Sequence, residues 1–179
     1  NTRRFNVGRN KDKAIYTLIG LIEGIVSDGK INETELLYVD TWIKNNANIL
    51  EHPDVYDLSA HITGMLESGS ITTEQTEDLK VLVDYIMTFR PKLQPDTEDS
   101  LNELLGLISG ITADAHVTPS EIHAIDSWLQ RHQNIQWEWP ATDIIDHLQT
   151  ILADGVISEP ERLDMETLLT RITGQDFTE

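Results

Sequence analysis

The feature that most constrains this fold is an internal repeat at an offset of 86 residues. The sequence LIGLIEGI at residues 18–25 recurs as LLGLISGI at residues 104–111, and the same offset pairs Trp42 with Trp128. The alignment continues without a gap. About twenty of its 70 residue pairs are identical, whereas average composition would match roughly 6% by chance. Two copies are too few for an open solenoid, which usually needs about three or more, so we predict a duplicated helical bundle.

A shorter motif occurs four times, twice in each half. Its copies are SDGKI, ESGSI, ADAHV and ADGVI, at residues 27–31, 67–71, 113–117 and 153–157. Each copy separates two apolar helical patterns, and the next residue is a good helix N-cap with Glu or Gln three positions later. This is the spacing of a capping box, in which the cap side chain and the Glu or Gln satisfy each other's backbone N–H groups. The predicted boxes are Asn32 with Glu35, Thr72 with Gln75, Thr118 with Glu121 and Ser158 with Glu161.

Between these turns the apolar residues recur at helical spacing, and no stretch alternates convincingly with the period of two that marks a strand. The pattern predicts eight helices, at about 12–27, 33–47, 55–68, 73–89, 98–113, 119–133, 142–153 and 159–173. Pro91 and Pro95 interrupt the helical pattern between the halves. We predict an all-α fold of two tandem four-helix units. Its predicted parts are a basic N-terminal segment (1–13), a first helical repeat (14–89), a linker (90–97) and a second helical repeat (98–174).

Charge narrows the classes of partner. The chain has 13 Lys and Arg residues against 31 Asp and Glu residues, which gives a net charge of −18. Because like charges repel, we expect no direct binding of nucleic acid and no binding of an anionic membrane. The chain has no cysteine, which excludes disulfides, thiolate zinc sites and a cysteine nucleophile.

Basic residues are concentrated at the N-terminus, where only Asp12 opposes them. Five of the 13 lie in the first 13 residues: Arg3, Arg4, Arg9, Lys11 and Lys13. Such a segment can be a solvated tail, can fold onto the acidic body, or can make an electrostatic contact with a partner. The sequence leaves these three roles open.

The sequence has no apparent targeting or membrane segment. The longest apolar region, residues 16–27, is interrupted by Glu23 and is far shorter than the roughly 20 residues of a spanning helix. We expect a soluble protein of the cytoplasm, and the start at Asn1 suggests a piece of a longer chain.

The turns and the helices around them resemble the TerB-like, or tellurite-resistance, group of bacterial α-helical domains, whose signature is an acidic helix–turn–helix of the form aDGxIsxxE. The chain is more similar still to the duplicated helical region that precedes BRCT domains in some bacterial proteins. The pattern covers about residues 4–87, from Arg4-Phe5-Asn6 onwards, and again about residues 100–174, with Trp139-Pro140. Ser68 replaces Asp in the second turn, and Ala115 replaces Gly in the third. The resemblance implies an all-α interaction region in a bacterial stress or DNA-damage context, without catalytic residues to carry over.

The Asp-Gly turns also resemble part of a calcium loop, which needs oxygen ligands at positions 1, 3, 5, 9 and 12 and glycine at position 6. With Gly29 at position 6, positions 1 and 3 are Gly24 and Val26, which have no side-chain oxygen. We therefore predict no metal ligand and keep a weak divalent-cation (calcium) module as an alternative. The predicted role of Asp28, Asp114 and Asp154 is to end or cap helices, while Gly29, Gly69 and Gly155 adopt positive φ.

Four glycines lie inside predicted helices at repeat-equivalent positions: Gly20 and Gly24 in one half, and Gly106 and Gly110 in the other. Glycine in a helix interior costs about 1 kcal/mol relative to alanine. Its recurrence predicts a close approach of two helices, with a ligand-contacting backbone as the alternative.

The aromatic residues and histidines offer weaker signals. Trp42 and Trp128 are predicted core residues. Trp137 and Trp139, in a connection between helices, are predicted to cover the core beneath the loop, with anchoring of a partner as the alternative. The histidines His52, His61, His116, His123, His132 and His147 form no HExxH motif, so surface or structural roles are predicted.

These observations predict a non-enzymatic, acidic α-helical interaction or adaptor module with no catalytic residue and no cofactor. Its partner is another protein, and the acidic face favours a basic one. Three alternatives remain open: the weak calcium module, an acidic DNA mimic, and an enzyme whose site is assembled from unremarkable residues.

Overall fold

The computed structural model describes residues 2–88 and 95–176, and within these residues the chain is all-α, without a strand. The eight α-helices are α1 (Thr2–Val26), α2 (Glu33–Asn45), α3 (Pro53–Glu67), α4 (Thr73–Thr88), α5 (Thr97–Thr112), α6 (Pro119–Arg131), α7 (Ala141–Ile151) and α8 (Glu159–Asp176). Short 3-10 helices at Ala47–Glu51 and Gln133–Ile135 join α2 to α3 and α6 to α7. The predicted all-α class with about eight helices is confirmed. None of the described helices combines the length and apolar character needed to cross a membrane.

The largest difference from the predicted helices is at the N-terminus. Helix α1 begins at Thr2 rather than near residue 12, so the backbone of the basic segment continues directly into the first helix. The contacts expected of Arg3, Arg4, Arg9 and Lys11, and most of the predicted linker at 90–97, lie outside what the structure describes.

The capping boxes explain where four helices begin. Asn32 Oδ1 accepts from the Glu35 N–H at 2.9 Å, and Glu35 Oε2 accepts from the Asn32 N–H at 2.9 Å. The other three predicted boxes have the same reciprocal bonds. A further box joins Asp96 and Asp99 at the start of α5, where Asp replaces the Glu or Gln that the motif requires. All four predicted boxes are confirmed, and the sequence motif missed the additional one.

The turns between helices adopt the predicted backbone. Gly29, Gly69 and Gly155 have φ of 75°, 71° and 77°. Ala115 stands at the same position of the third turn and has φ of 62°, a left-handed conformation that is strained for a residue with a Cβ. The Oδ1 atoms of Asp28, Asp114 and Asp154 each accept from the N–H two residues later, at 2.9–3.0 Å. The prediction that these aspartates end or cap helices is therefore corrected: each accepts a hydrogen bond within the turn that follows its helix, and the C-cap residues of α5 and α7 are Ala113 and Leu152.

Replacing Ala115 with glycine is expected to raise the free energy of unfolding by roughly 0.5–1 kcal/mol, because relief of left-handed strain exceeds the added entropy of the unfolded chain. Ala113 is the matched control, since it ends α5 with φ of −58°. Ala113→Gly is expected to lower stability by up to about 1 kcal/mol. Urea unfolding measures both changes. A loss of stability in Ala115→Gly would contradict the conclusion that Ala115 is strained in its left-handed conformation.

Apolar side chains form two clusters, one from each half. The first lies within residues 14–86 and the second within residues 104–172. Ile49 and Ile135, from the two 3-10 helices, are completely buried at equivalent places. Trp128 is in the core as predicted, but Trp42 is only half-buried, so its assignment to the core is corrected to the core edge.

Helices α1 and α5 make the most extensive contact between the halves. A Cβ added to Gly20 would overlap the carbonyl oxygen of Glu103, and one added to Gly24 would overlap that of Leu107. Positions farther along α1 meet positions farther along α5, so the two helices run in the same direction with equivalent residues side by side. The predicted close approach of two helices at the repeated glycines is confirmed, and the partner of each helix is its own repeat equivalent.

Candidate functional site

The parallel pairing of α1 and α5 brings together the two turns that follow them. Asn32 Nδ2, after α1, donates to Asp114 Oδ2, after α5, at 3.2 Å. Around this bond four carboxylates face one another, those of Asp28 and Glu35 from the first half and Asp114 and Glu121 from the second. We call these four residues the acidic junction. The partial negative charge at the ends of both helices adds to the repulsion there.

Two members of the acidic junction are buried. Glu35 is 2% exposed and Glu121 is 3% exposed, because each turns inward to close a capping box. Burial raises the pKa of each carboxyl from 4.5 to about 7, against the lowering effect of the cap hydrogen bond. The neighbouring charges of Asp28 and Asp114 contribute a smaller part of the rise in both pKa values. The junction can therefore take up protons near neutral pH.

The acidic junction does not by its geometry form a metal cage. Among the described residues, no three His, Asp or Glu side chains are grouped closely enough to hold a metal ion. The Oδ1 atoms of Asp28 and Asp114 are occupied by backbone N–H groups of their own turns. Proton uptake is thus the chemistry that this arrangement supports directly.

A second feature is the connection between α6 and α7. Trp137 is 89% exposed and Trp139 is 48% exposed. The prediction that these residues cover the core beneath the loop is therefore wrong for Trp137, and Trp139 is itself about half exposed. A large side chain left in water forgoes the stabilisation that burial of its apolar surface would provide.

The first half shows why the core does not need these tryptophans. The offset of 86 pairs Trp137 with Glu51 and Trp139 with Pro53, so the equivalent connection has no tryptophan. Both connections instead fill the core with the buried isoleucines, Ile49 and Ile135. This comparison of the two halves could have indicated that Trp137 is exposed. A residue that occurs in only one half is not required by the fold that both halves share.

The surroundings of Trp137 are acidic. No Lys or Arg lies between Arg131 and Arg162, whereas the same stretch contains six carboxylates: Glu138, Asp143, Asp146, Asp154, Glu159 and Glu161. Arg162 donates to Glu159 at 2.8 Å and to Glu166 at 2.7 Å, so its charge is neutralised within α8. Glu138, Asp143 and Asp146 are exposed. We call Trp137, Trp139 and these three carboxylates the tryptophan face.

A shallow groove of about 350 Å³ lies along α2, lined by Leu37, Tyr38 and Trp42 among others. It extends to Ala113 of the second half. Burial raises the pKa of the Tyr38 hydroxyl, while its hydrogen bond with Ser109 lowers it. The groove is mainly apolar, and its lining residues include no carboxylate and no histidine. It could therefore bind an apolar group but has no side chain of the usual acid–base or metal-binding types.

The histidines make separate local contacts. His61 Nε2 lies 3.1 Å from the Gln75 carbonyl oxygen, and the Nδ1 atom of its equivalent, His147, lies 2.9 Å from that of Asp143. His132 stacks on Trp128 with ring centroids 3.8 Å apart. Its Nδ1 lies 2.7 Å from the Trp128 carbonyl oxygen. These contacts support the predicted structural roles.

Comparisons with protein-family models, with curated proteins and with solved structures find no match to this chain. Charge, exposure and packing within the chain itself therefore carry the functional inference.

Proposed function

We propose that this protein is a non-enzymatic, acidic α-helical interaction module that binds a basic protein partner. The proposal includes its construction from two tandem four-helix units and its likeness to TerB-like domains. Two apolar clusters, each from one half, support the tandem units. The four turns with their capping boxes support the likeness.

The observation that carries the proposal is the charge of the second half. Residues 95–176 contain 16 Asp and Glu residues, three Arg and no Lys. One of the arginines, Arg162, is held by Glu159 and Glu166. An acidic surface of this kind attracts a basic partner over a distance and repels other acidic surfaces. Because the tryptophan face adds exposed aromatic area to this surface, it supplies what an interface needs besides charge.

The proposal is tested by isothermal titration calorimetry with synthetic peptides. A peptide of alternating glycine and arginine is expected to bind at physiological salt, while the same peptide with glutamate for arginine is expected not to bind. Affinity should fall steeply as salt rises, because the screening length shortens from about 8 Å at 0.15 M to about 3 Å at 1 M.

Two triple variants that remove the same charge distinguish binding at the tryptophan face from general electrostatic attraction to the whole acidic protein. In the second half, Glu138→Gln, Asp143→Asn and Asp146→Asn remove the exposed carboxylates of the tryptophan face. In the first half, Glu74→Gln, Glu77→Gln and Asp78→Asn remove three exposed carboxylates of α4. The second-half variant is expected to weaken binding more than the control. Absence of binding by the arginine peptide, or equal loss in both variants, contradicts the proposal.

A further inference from the structure

We propose that Trp137 is the anchor of the binding surface and that it takes an arginine side chain of a basic partner. In this arrangement the guanidinium lies on the exposed indole face, and the carboxylates of the tryptophan face balance its charge. The inference rests on the proposed function and adds to it the anchoring residue and the chemistry of the side chain that it selects.

The exposure of Trp137 is the first observation behind this inference. At 89% exposure, both faces of the indole are open to a planar group. Trp139, two residues later, is 48% exposed and enlarges the aromatic surface. Tryptophan is among the side chains that are enriched at the energetic centres of protein interfaces.

The comparison with the first half is the second observation. Glu51 and Pro53 occupy the equivalent positions, and the connection there folds around Ile49 as the second connection folds around Ile135. The tryptophans are therefore additions to a connection that is already complete. An exposed aromatic side chain that the shared fold does not require, as at Trp137, is explained by contact with a partner.

The charge around Trp137 decides what kind of partner fits. Glu138 directly follows Trp137, and Asp143 and Asp146 are exposed in the first turns of α7. Asn134 Nδ2 donates to Ser100 Oγ at 3.3 Å, which holds the connection against the acidic N-terminal part of α5. A carboxylate-bearing or phosphate-bearing partner would be repelled by these charges, whereas a cationic side chain would be attracted.

Between the two cationic side chains, arginine fits this surface better than lysine. The guanidinium is planar, stacks on aromatic faces and is more weakly hydrated than an ammonium group. Tryptophan is the aromatic side chain that attracts a cation most strongly. The planar guanidinium of arginine can also bind a neighbouring carboxylate with two hydrogen bonds while it lies on the tryptophan ring.

The test compares three peptides of equal length, alternating glycine with arginine, lysine or glutamate, by calorimetry and by the change in tryptophan fluorescence. The arginine peptide is expected to bind more tightly than the lysine peptide. Trp137→Ala is expected to lower the affinity for the arginine peptide by roughly two- to thirty-fold, which is the range expected for loss of a cation–aromatic contact. Trp137→Phe should keep part of the affinity, and Trp137→Leu should behave as Trp137→Ala because leucine has no ring.

Tyr56→Ala is the matched control, because Tyr56 is an aromatic residue with 61% exposure in the other half, and its loss should leave binding unchanged. Binding of the arginine peptide that is unaffected by Trp137→Ala would overturn the anchor while the proposed function stands. No binding of either cationic peptide would contradict the proposed function itself. Full affinity in Trp137→Leu, or a dimer in sedimentation that Trp137→Ala abolishes, would overturn the choice of arginine as occupant.

Discussion

Replacing Gly24 with leucine is expected to lower the free energy of unfolding by about 3 kcal/mol or more, at the upper end of the range for overpacked sites. The reason is that a Cβ at this position already overlaps the Leu107 carbonyl oxygen and comes within 3.0 Å of the Gly110 Cα. Backbone atoms of a helix cannot rotate away as a side chain can. For a chain of this length, the melting temperature should fall by roughly 6–12 °C.

Gly64 provides the matched control for this substitution. It also lies inside a helix, α3, but no atom outside the nearby part of that helix's own chain lies within 4 Å of a Cβ added there. Gly64→Ala is expected to stabilise the protein by up to about 1 kcal/mol, because the helix gains propensity without a clash. Gly24→Ala, with the same added methyl group, is expected to destabilise it. Melting temperatures that change alike in these two alanine variants would contradict the packing of α1 on α5.

The helices and their caps were predictable from the sequence because they depend on residues close together in the chain. Asn32 and Glu35 are three positions apart, and the reciprocal bonds between them need no knowledge of the tertiary structure. The positive φ of Gly29 was predictable for the same reason. The start of α1 was not, because the first turns of this helix have no apolar stripe of the kind that marked the other helices.

The acidic junction was not predictable to the same degree, because its members come from distant parts of the chain. The bond from Asn32 to Asp114 joins residues 82 positions apart. The repeated glycines predicted that two helices approach closely, but not that α1 pairs with α5 in the same direction. Once that direction is known, equivalent residues must meet, and Asp28 comes to lie near Asp114. The position of Trp137 was wrongly predicted because a general preference for burial was given more weight than the absence of tryptophan from the equivalent connection of the first half.

The acidic junction should make the stability of this protein depend on pH. The buried carboxyls of Glu35 and Glu121 have a pKa of about 7 in the folded state, against 4.5 as the ordinary value. The folded state therefore binds more protons than the unfolded state between these two values. Since stability changes with pH in proportion to that difference, it should be greatest below about pH 4.5 and should decline as pH rises through 7.

Replacing both buried glutamates with glutamine, Glu35→Gln and Glu121→Gln, is expected to remove this dependence and to stabilise the protein at pH 8. Glutamine keeps the capping bond, since Gln75 Oε1 accepts from the Thr72 N–H at 3.0 Å in the equivalent box. One pKa unit corresponds to about 1.4 kcal/mol, so a rise from 4.5 to about 7 at both sites sets an upper limit of about 7 kcal/mol on the gain at pH 8. Near pH 5 the double variant and the natural chain should have similar stability.

The net charge of −18 alone favours stability at lower pH, because protonation relieves general repulsion, so the control must remove the same charge elsewhere. Glu33→Gln with Glu74→Gln does so at two exposed positions in the first turns of α2 and α4. This control is expected to be slightly less stable at pH 8, because an acidic residue near a helix N-terminus contributes about 0.3–1 kcal/mol. Urea unfolding of both double variants from pH 5 to pH 8 decides between the two origins. If both double variants respond to pH in the same way, general repulsion accounts for the effect. If only the variant with Glu35→Gln and Glu121→Gln loses its pH dependence, the effect comes from these two buried carboxyls of the acidic junction.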